Sequence, residues 1–363
     1  MKKLCLADIC WQGGLLLLVL AGCVFSETKP EGTSRDTSPL TLMTWNVHNL
    51  FDGQDNGFEY NEFLNSAGWS TEKYLGRINV ISNAIGRLEP LPDIIMFQEI
   101  ESLTIIKDIA LSLSHDYEWS HFANNPGAAL GLGILSRFPI MEASAHSITI
   151  DRETTPRPVL ETRIRAGDEE FVIFICHWKS KLGGEDATED VRKASARVIL
   201  RRIRELWENE PDLGIIVAGD LNENHDGFYR RNTSIICSLL PDDPYSALIT
   251  GSTGTGQKDF FVLGKNKPPA PVYFPQETIV LFSPWISELE NGSYYFRNNW
   301  ETIDHFLISK QFFTNTGWNY EKTEVVNFPP FATSEGMPIP YNARTGWGLS
   351  DHLPLLLTIR LGN

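Results

Sequence analysis

Short apolar runs that each close on a polar or ionisable residue recur along this chain, and they constrain its fold more than any other feature. Thr44-Trp45-Asn46-Val47 closes on Asn46, Phe97-Gln98-Glu99 on Glu99, and Phe171–His177 on His177. Leu213–Ala218 runs into Gly219-Asp220-Leu221-Asn222, Asp304 lies in Thr302-Ile303-Asp304-His305, and Asp351-His352 opens a final apolar run. Apolar runs of this length read as buried strands, here Thr41–Val47, Asp93–Gln98, Leu130–Leu135 and Leu213–Ala218. Val159–Arg165 and Phe171–His177 predict a hairpin turning at Gly167-Asp168. Tyr294–Trp300, Thr302–Ser309 and Leu353–Arg360 predict three late strands.

Helical spacing separates these runs. Ser70 is a predicted N-cap, followed by Tyr74, Ile78, Ile81, Ile85 and Leu88, and Pro90 and Pro92 close that helix. Residues 101–113 and about 188–208 predict two more helices, the second with Val191, Ser195, Ile199 and Leu206 opposite Lys193, Arg197, Arg201 and Arg204. Residues 225–293 carry no clear period. Strands from both halves, separated by helices, predict two packed sheets with helices outside, in one domain spanning 40–363.

The first residues stand apart. Lys2 and Lys3 precede Gly13–Phe25, an uncharged run in the length range of a signal-peptide core and too short for a comfortable membrane span. Leu20-Ala21-Gly22-Cys23 resembles a bacterial lipobox, which predicts cleavage after residue 22 and lipidation of Cys23. Residues 23–39 read as a lipidated N-terminus and flexible tether. The expected mature protein is extracytoplasmic, anchored to a bacterial membrane by lipid, and monomeric. Of the five cysteines, only Cys176 and Cys237 then remain as thiols, either paired with each other or buried separately.

The charge narrows the classes of partner. With 31 Lys+Arg against 46 Asp+Glu the net charge is −15, and removing residues 1–22 takes it to −16. That excess disfavours gripping nucleic acid through a broad basic surface. It permits local phosphate contact in a cleft that collects divalent cations.

The strand-end residues supply such a cleft. An isolated Asp or Asn at a strand exit is ordinarily a turn or cap residue; a set of them in equivalent positions converges on one site. Asp220, Asp304, Asp351, Glu99, Asn46 and Asn222 are hard oxygen donors, suited to Mg²⁺, Mn²⁺ or Ca²⁺ and unsuited to structural zinc. His177 and His352 add groups that titrate near neutrality. A divalent ion that neutralises charge on phosphorus, a carboxylate that orients water and an acid for the leaving oxygen make up the chemistry of phosphoester hydrolysis.

Taken in order, Trp45-Asn46-Val47, Gln98-Glu99, the strand ending in His177, Gly219-Asp220-Leu221-Asn222, Ile303-Asp304 and Ser350-Asp351-His352 resemble the endonuclease/exonuclease/phosphatase family, over about residues 41–360. The segments Trp45–Asp52, His177–Lys181 and Gly292–Trp300 also resemble secreted bacterial nuclease-like members. The resemblance implies a deoxyribonuclease I-like fold: a four-layer α/β sandwich of two packed mixed β-sheets flanked by helices. It implies that Glu99 is the main metal ligand, helped by Asn46 and by Asp351 or Asp304. Asp220 then orients or deprotonates the attacking water, and Asn222 holds a phosphate oxygen. His352, paired with Asp304, contacts phosphate and acts as acid or base, while His177 stabilises the phosphate or protonates the leaving group. Arg157, before Pro158, stands where relatives often place a phosphate-contacting arginine. His48 departs from relatives that carry an acidic residue there, so it is expected to contact phosphate.

Softer signals divide. Lys179 and Lys181, just after His177, are expected to contact substrate phosphate, whereas the basic helix face reads as a solvated exterior. Phe282, Trp285 and the aromatics of Tyr294–Trp300 suggest a stacking or membrane surface; the alternation in Tyr294–Trp300 favours an ordinary hairpin with one buried face. The expected activity is a Mg²⁺- or Mn²⁺-dependent phosphodiesterase cutting DNA or RNA outside the cytoplasm. A headgroup phosphodiesterase of the sphingomyelinase or phospholipase C type, a phosphomonoesterase, and a catalytically silent binding lipoprotein are the alternatives. An inositol-polyphosphate phosphatase is disfavoured by Glu223-Asn224 and Thr302–His305, where such relatives carry different motifs.

Overall fold

The computed structural model describes residues 38–113, 117–232, 236–243, 259–269 and 278–362. The expected signal segment, Cys23 and the tether as far as residue 37 lie outside the described residues. In chain order the first strands are β1 (Leu40–Leu50), β2 (Ile94–Ile100), β3 (Trp119–Ala123), β4 (Gly131–Ser136), β5 (Ile140–His146), β6 (Thr149–Ile150), β7 (Glu153–Thr154), β8 (Val159–Ala166) and β9 (Glu169–His177). The rest are β10 (Gly214–Asp220), β11 (Leu239–Pro241), β12 (Phe261–Gly264), β13 (Val280–Phe282), β14 (Tyr294–Phe296), β15 (Asn299–Glu301), β16 (Asp304–Ile308), β17 (Trp318–Val325) and β18 (Leu355–Leu361). The main helices are α1 (Thr71–Ile85), α2 (Leu103–Leu113) and α3 (Glu189–Asn209).

Among the described residues, one sheet has the order β17-β18-β1-β2-β4-β3 and the other β11-β12-β13-β16-β10-β9-β8-β5. Both mix parallel and antiparallel pairs: β1 runs parallel to β2 and antiparallel to β18, and β10 runs parallel to β9 and antiparallel to β16. Alternation along each strand sends successive side chains to opposite faces. Leu40 and Leu42 of β1 meet Ile173 and Ile175 of β9 and Ile216 of β10 in the core between the sheets. Met43, Trp45 and Val47 pack instead against Tyr74, Ile78 and Ile81 of α1 and Ile106 of α2. On the far side, Val172, Phe174 and Val217 pack against Ile199, Leu200 and Ile203 of α3. Three apolar cores therefore separate helix, sheet, sheet and helix, which is the predicted four-layer sandwich.

Local signals explain much of this. Ser70 caps α1 by accepting from the Lys73 amide at 3.3 Å. The β8–β9 hairpin turns at Gly167, whose φ of 67° suits the absence of a Cβ. Cys176 and Cys237 are buried as thiols.

One expected strand is different. Residues 294–301 fold back at Arg297-Asn298 into β14 and β15, a two-stranded hairpin outside both sheets. Both turn residues have positive φ, 48° and 66°, as a tight primed turn requires, yet neither is glycine. No face of this hairpin is fully buried, and Phe296 at its tip is 47 % exposed. The edge strand β17 has no counterpart among the expected strands; it carries no apolar run, and Thr323 is its one buried residue.

Candidate active site

Six segments converge because six strands, three from each sheet, bring their ends to one cleft. His177 and Asp220 are the last residues of the parallel neighbours β9 and β10 and pair directly. Asp304 begins β16, but β16 is antiparallel to β10, so Asp304 pairs with Asp220. In the other sheet, Asn46 of β1 lies beside Gln98 of β2, and Asp351 and His352 immediately precede β18. These ends border a cleft of about 580 Å³ whose lining includes Glu99, Arg157, His177, Asp220, Asn222, Asp351 and His352.

Backbone irregularity aims several of these groups. The ladders shift register at Glu99, which takes φ 63°, and beyond Asn46, where His48 and Asn49 take φ 58° and 57°. Such left-handed residues carry strain held by the surrounding structure. Arg77 of α1 holds it here: its buried guanidinium donates to the carbonyls of Val47, His48 and Asn49 and stacks 3.7 Å from the Tyr341 ring centre. Asn49 N in turn donates to Glu99 Oε2 at 2.8 Å. Gly219 lets β10 press against β9: a Cβ there would lie 2.1 Å from Cys176 O, and φ is +124°.

Two linked clusters result. In one, Asn46 Nδ2 donates to Asp220 Oδ2 at 3.1 Å and Glu99 Oε1 at 3.3 Å. His177 Nε2 faces the same two oxygens at 3.4 and 3.6 Å. In the other, His352 Nδ1 lies 2.8 Å from Asp304 Oδ2, and His352 Nε2 lies 3.9 Å from Asp220 Oδ2. Ser293 Oγ donates to Asp304 Oδ2 at 2.6 Å, Trp285 Nε1 to Asp304 O at 2.8 Å, and Trp45 Nε1 to His352 O at 3.0 Å. Trp285 is therefore a buried brace behind the pair rather than a surface aromatic.

Electrostatics separates the roles these groups can play. Burial pushes the Asp220 carboxyl up to about 7. Burial, helped by the charges of Arg157 and His352, holds His177 well below the ordinary histidine value, so its ring is neutral. His352 is buried as well, but the charge and hydrogen bond of Asp304, with Asp351 and Asp220, carry it well above that value. The site thus holds a neutral imidazole and an imidazolium on either side of one carboxylate.

The remaining predicted residues divide. Asn222, at φ 49°, donates through its backbone to Asp220 Oδ1 at 2.9 Å and through Nδ2 to Trp178 O, the acceptor that Arg157 Nη1 also uses. His48 Nδ1 lies 3.5 Å from Asp351 Oδ1. Lys181 lines the cleft, but its ammonium lies 3.0 Å from Glu185 and 3.3 Å from Glu301. Lys179 is exposed and is not among the cleft-lining residues. The basic side of α3 is solvated at Arg197 and Arg201.

Sequence reading missed Arg77, Ser293 and a buried ion cluster behind the Asp220–Asn222 turn. There Arg192 and Arg231 bond Glu189 and Glu223, and burial pushes the Glu223 carboxyl up to about 7. Arg192 interrupts the apolar side of α3 with a charge, which was its one visible signal.

The donor chemistry fits a hard divalent cation. Carboxylates of Glu99, Asp220 and Asp351 share the cleft, with the Asn46 amide bonded to the first two, and Asp304 Oδ1 is buried without a hydrogen-bond partner among the described residues. Asp220, Asp304 and His352 also bring ligand-type atoms within 4.8 Å of one another. Oxygen donors for a metal, paired with two differently charged histidines, define a divalent-metal-dependent phosphoester hydrolase. The chain belongs to the Endonuclease/Exonuclease/phosphatase family, whose model matches residues 41–234.

Solved structures share the fold. An endonuclease/exonuclease/phosphatase family protein from Bacteroides thetaiotaomicron superposes with a TM-score of 0.51 at 16 % identity, covering 90 % of this chain and 97 % of that one. The catalytic domain of human Nocturnin gives 0.51 at 15 % identity, covering 88 % and 93 %. A mannosyl-6-phosphatase from B. thetaiotaomicron VPI-5482 gives 0.50 at 16 % identity, covering 88 % and 99 %. No curated protein sequence matches the chain.

Proposed function

We propose that this hydrolase is an extracytoplasmic phosphodiesterase that cuts DNA or RNA with Mg²⁺ or Mn²⁺, released from its signal at residue 22 and held to a bacterial membrane through Cys23 as a monomer. The arrangement of His177, Asp220 and His352 around one face of the cleft carries this reading. Asp220, with a carboxyl near 7, is matched to removing a proton from an attacking water at neutral pH. Asn222 and Arg157 are held by Trp178 O at the cleft lining, where they meet phosphate oxygens. The neutral His177 stabilises the phosphate by hydrogen bonding. The His352 imidazolium, fixed by Asp304, supplies positive charge and a proton for the leaving oxygen. Glu99, with Asn46 and Asp351, would hold the cation, which when bound neutralises charge developing on phosphorus.

The net charge of −15 supports local contact over wrapping a long polyanion, because the cleft offers few cations for phosphate. Incubation of the purified chain with plasmid DNA, RNA, sphingomyelin, inositol phosphates and mannose 6-phosphate, each with Mg²⁺, Mn²⁺ or EDTA, tests the reading. Metal-dependent nucleic-acid cleavage is expected. Headgroup release or phosphomonoester hydrolysis with intact nucleic acid would replace it with one of the alternative substrate classes.

A further inference from the structure

The hairpin β14–β15 is the part of the cleft that the hydrolytic chemistry leaves unused. Tyr294, Phe296 and Arg297 line the cleft together with Leu182, which is 83 % exposed. The Tyr294 ring lies against the His352 imidazole at 4.6 Å between centres. Phe296 is nearly parallel to Tyr294, 6.1 Å away at 18°, and the Arg297 guanidinium sits 5.0 Å over Phe296. A row of flat groups therefore leads outward from His352 to the hairpin tip. The hairpin is fixed at its base: Tyr294 bridges His352 through the backbone, and Glu301 accepts from Asn224 at 3.0 Å and from Lys181 at 3.3 Å.

An exposed aromatic face that borders a phosphate-handling cleft has a definite chemical use. We infer that Phe296 is a stacking platform for a nucleobase next to the scissile phosphate, with Arg297 moving from the ring to the flanking phosphate when the base arrives. This rests on the phosphodiesterase reading above and names the recognition element within it. Base–aromatic stacking suits a site without sequence preference, because every base has a flat face. Arg297 already shows that a flat cation is accommodated on Phe296. A lipid-inserting tip fits the hairpin less well. Its tip is polar, with the turn Arg297-Asn298 followed by Asn299, and Tyr295 and Trp300 pack on each other at 5.1 Å instead of projecting.

Calorimetric titration in Mg²⁺ compares a cleavage-resistant, phosphorothioate-linked thymidine tetramer with an abasic tetramer of the same backbone. The wild-type chain should bind the thymidine tetramer about tenfold more tightly, the scale expected for one stacked base. Phe296→Ala should erase the preference, while Phe296→Trp should keep it; circular dichroism verifies the fold of each. Equal binding of the two tetramers by wild type, or a preference that survives Phe296→Ala, overturns the proposal. So does Phe296-dependent cosedimentation with phosphatidylcholine vesicles in the absence of base preference. Binding is read without turnover, so a wild-type chain that fails to cleave DNA counts against the phosphodiesterase reading alone.

Discussion

The His352 imidazole donates through Nδ1 to Asp304 Oδ2 at 2.8 Å, and that same oxygen also accepts from Ser293 Oγ at 2.6 Å. One carboxylate oxygen thus fixes both the orientation and the charge of the histidine. Its other oxygen, Oδ1, is buried without a hydrogen bond among the described residues.

Asp304→Asn should lower kcat on the substrate found in the panel by about 10²–10⁴-fold, the scale of a lost acid–base group. His352→Asn should cost as much, and the double variant little more than either, since the two act as a unit. Steady-state kinetics of the three variants checks this. Additive losses would show that the pair works as two separate groups.

Glu99→Gln should leave folding intact and abolish turnover at low metal concentration, with activity recovering in part as Mn²⁺ is raised. EDTA should silence the wild type, and calorimetric titration should show weaker Mn²⁺ binding to the variant. Unchanged metal affinity would move the cation to the Asp220–Asp304–His352 group.

Gly219→Ala is expected to destabilise the fold by about 3 kcal/mol or more, because the added Cβ meets the Cys176 carbonyl and the φ is one that L residues rarely adopt. Urea unfolding measures it. A loss under about 0.5 kcal/mol would show that β9 and β10 can part without cost.

Glu161 supplies a pH dependence far from the cleft. Burial would raise its carboxyl, but hydrogen bonds from His146 and Arg202 and their charges bring it down to about 2. A depressed carboxyl stabilises the fold above its ordinary value of 4.5, and that contribution is lost as pH falls from there towards 2. Glu161→Gln should therefore be less stable than wild type by about 2 kcal/mol at pH 6, with the gap closing below pH 3. Thermal unfolding across that range checks both the size and the window.

Cys23→Ser should abolish incorporation of labelled palmitate in a bacterial host and release the protein from the membrane fraction. Retained labelling would rule out Cys23 as the acylated residue.

The strands were legible where both faces are buried, because such strands read as continuous apolar runs; β1, β2, β9 and β10 all show this. The site residues were legible for a related reason, since a charged or amide group at the end of such a run has no packing role there. The alternation in Tyr294–Trp300 marked a hairpin, but its turn at Arg297-Asn298 lacks the usual glycine and neither of its faces is buried, while β17 lacks an apolar run and left no local trace. Arg77 and Ser293 were hidden more deeply. Each matters through a partner at least 11 positions away, Asp304 for Ser293 and Val47 to Asn49 for Arg77, and no local pattern encodes such pairings. The neutral state of His177 and the charged state of His352 likewise depend on burial and on which carboxylate lies nearest.

The strand β18 occupies an interior position of its sheet, between β17 and β1, and the residues just before it carry Asp351 and His352. The opening stretch of the domain is therefore finished by its closing stretch, with Ser350 Oγ bonded to the Asn46 carbonyl across 304 positions. A chain cut short of Ser350 loses the Asp351 carboxylate, the His352 imidazole and the neighbour of β1 together. A partial product of synthesis or proteolysis that stops short of Ser350 therefore cannot assemble this cleft, however well its earlier strands form.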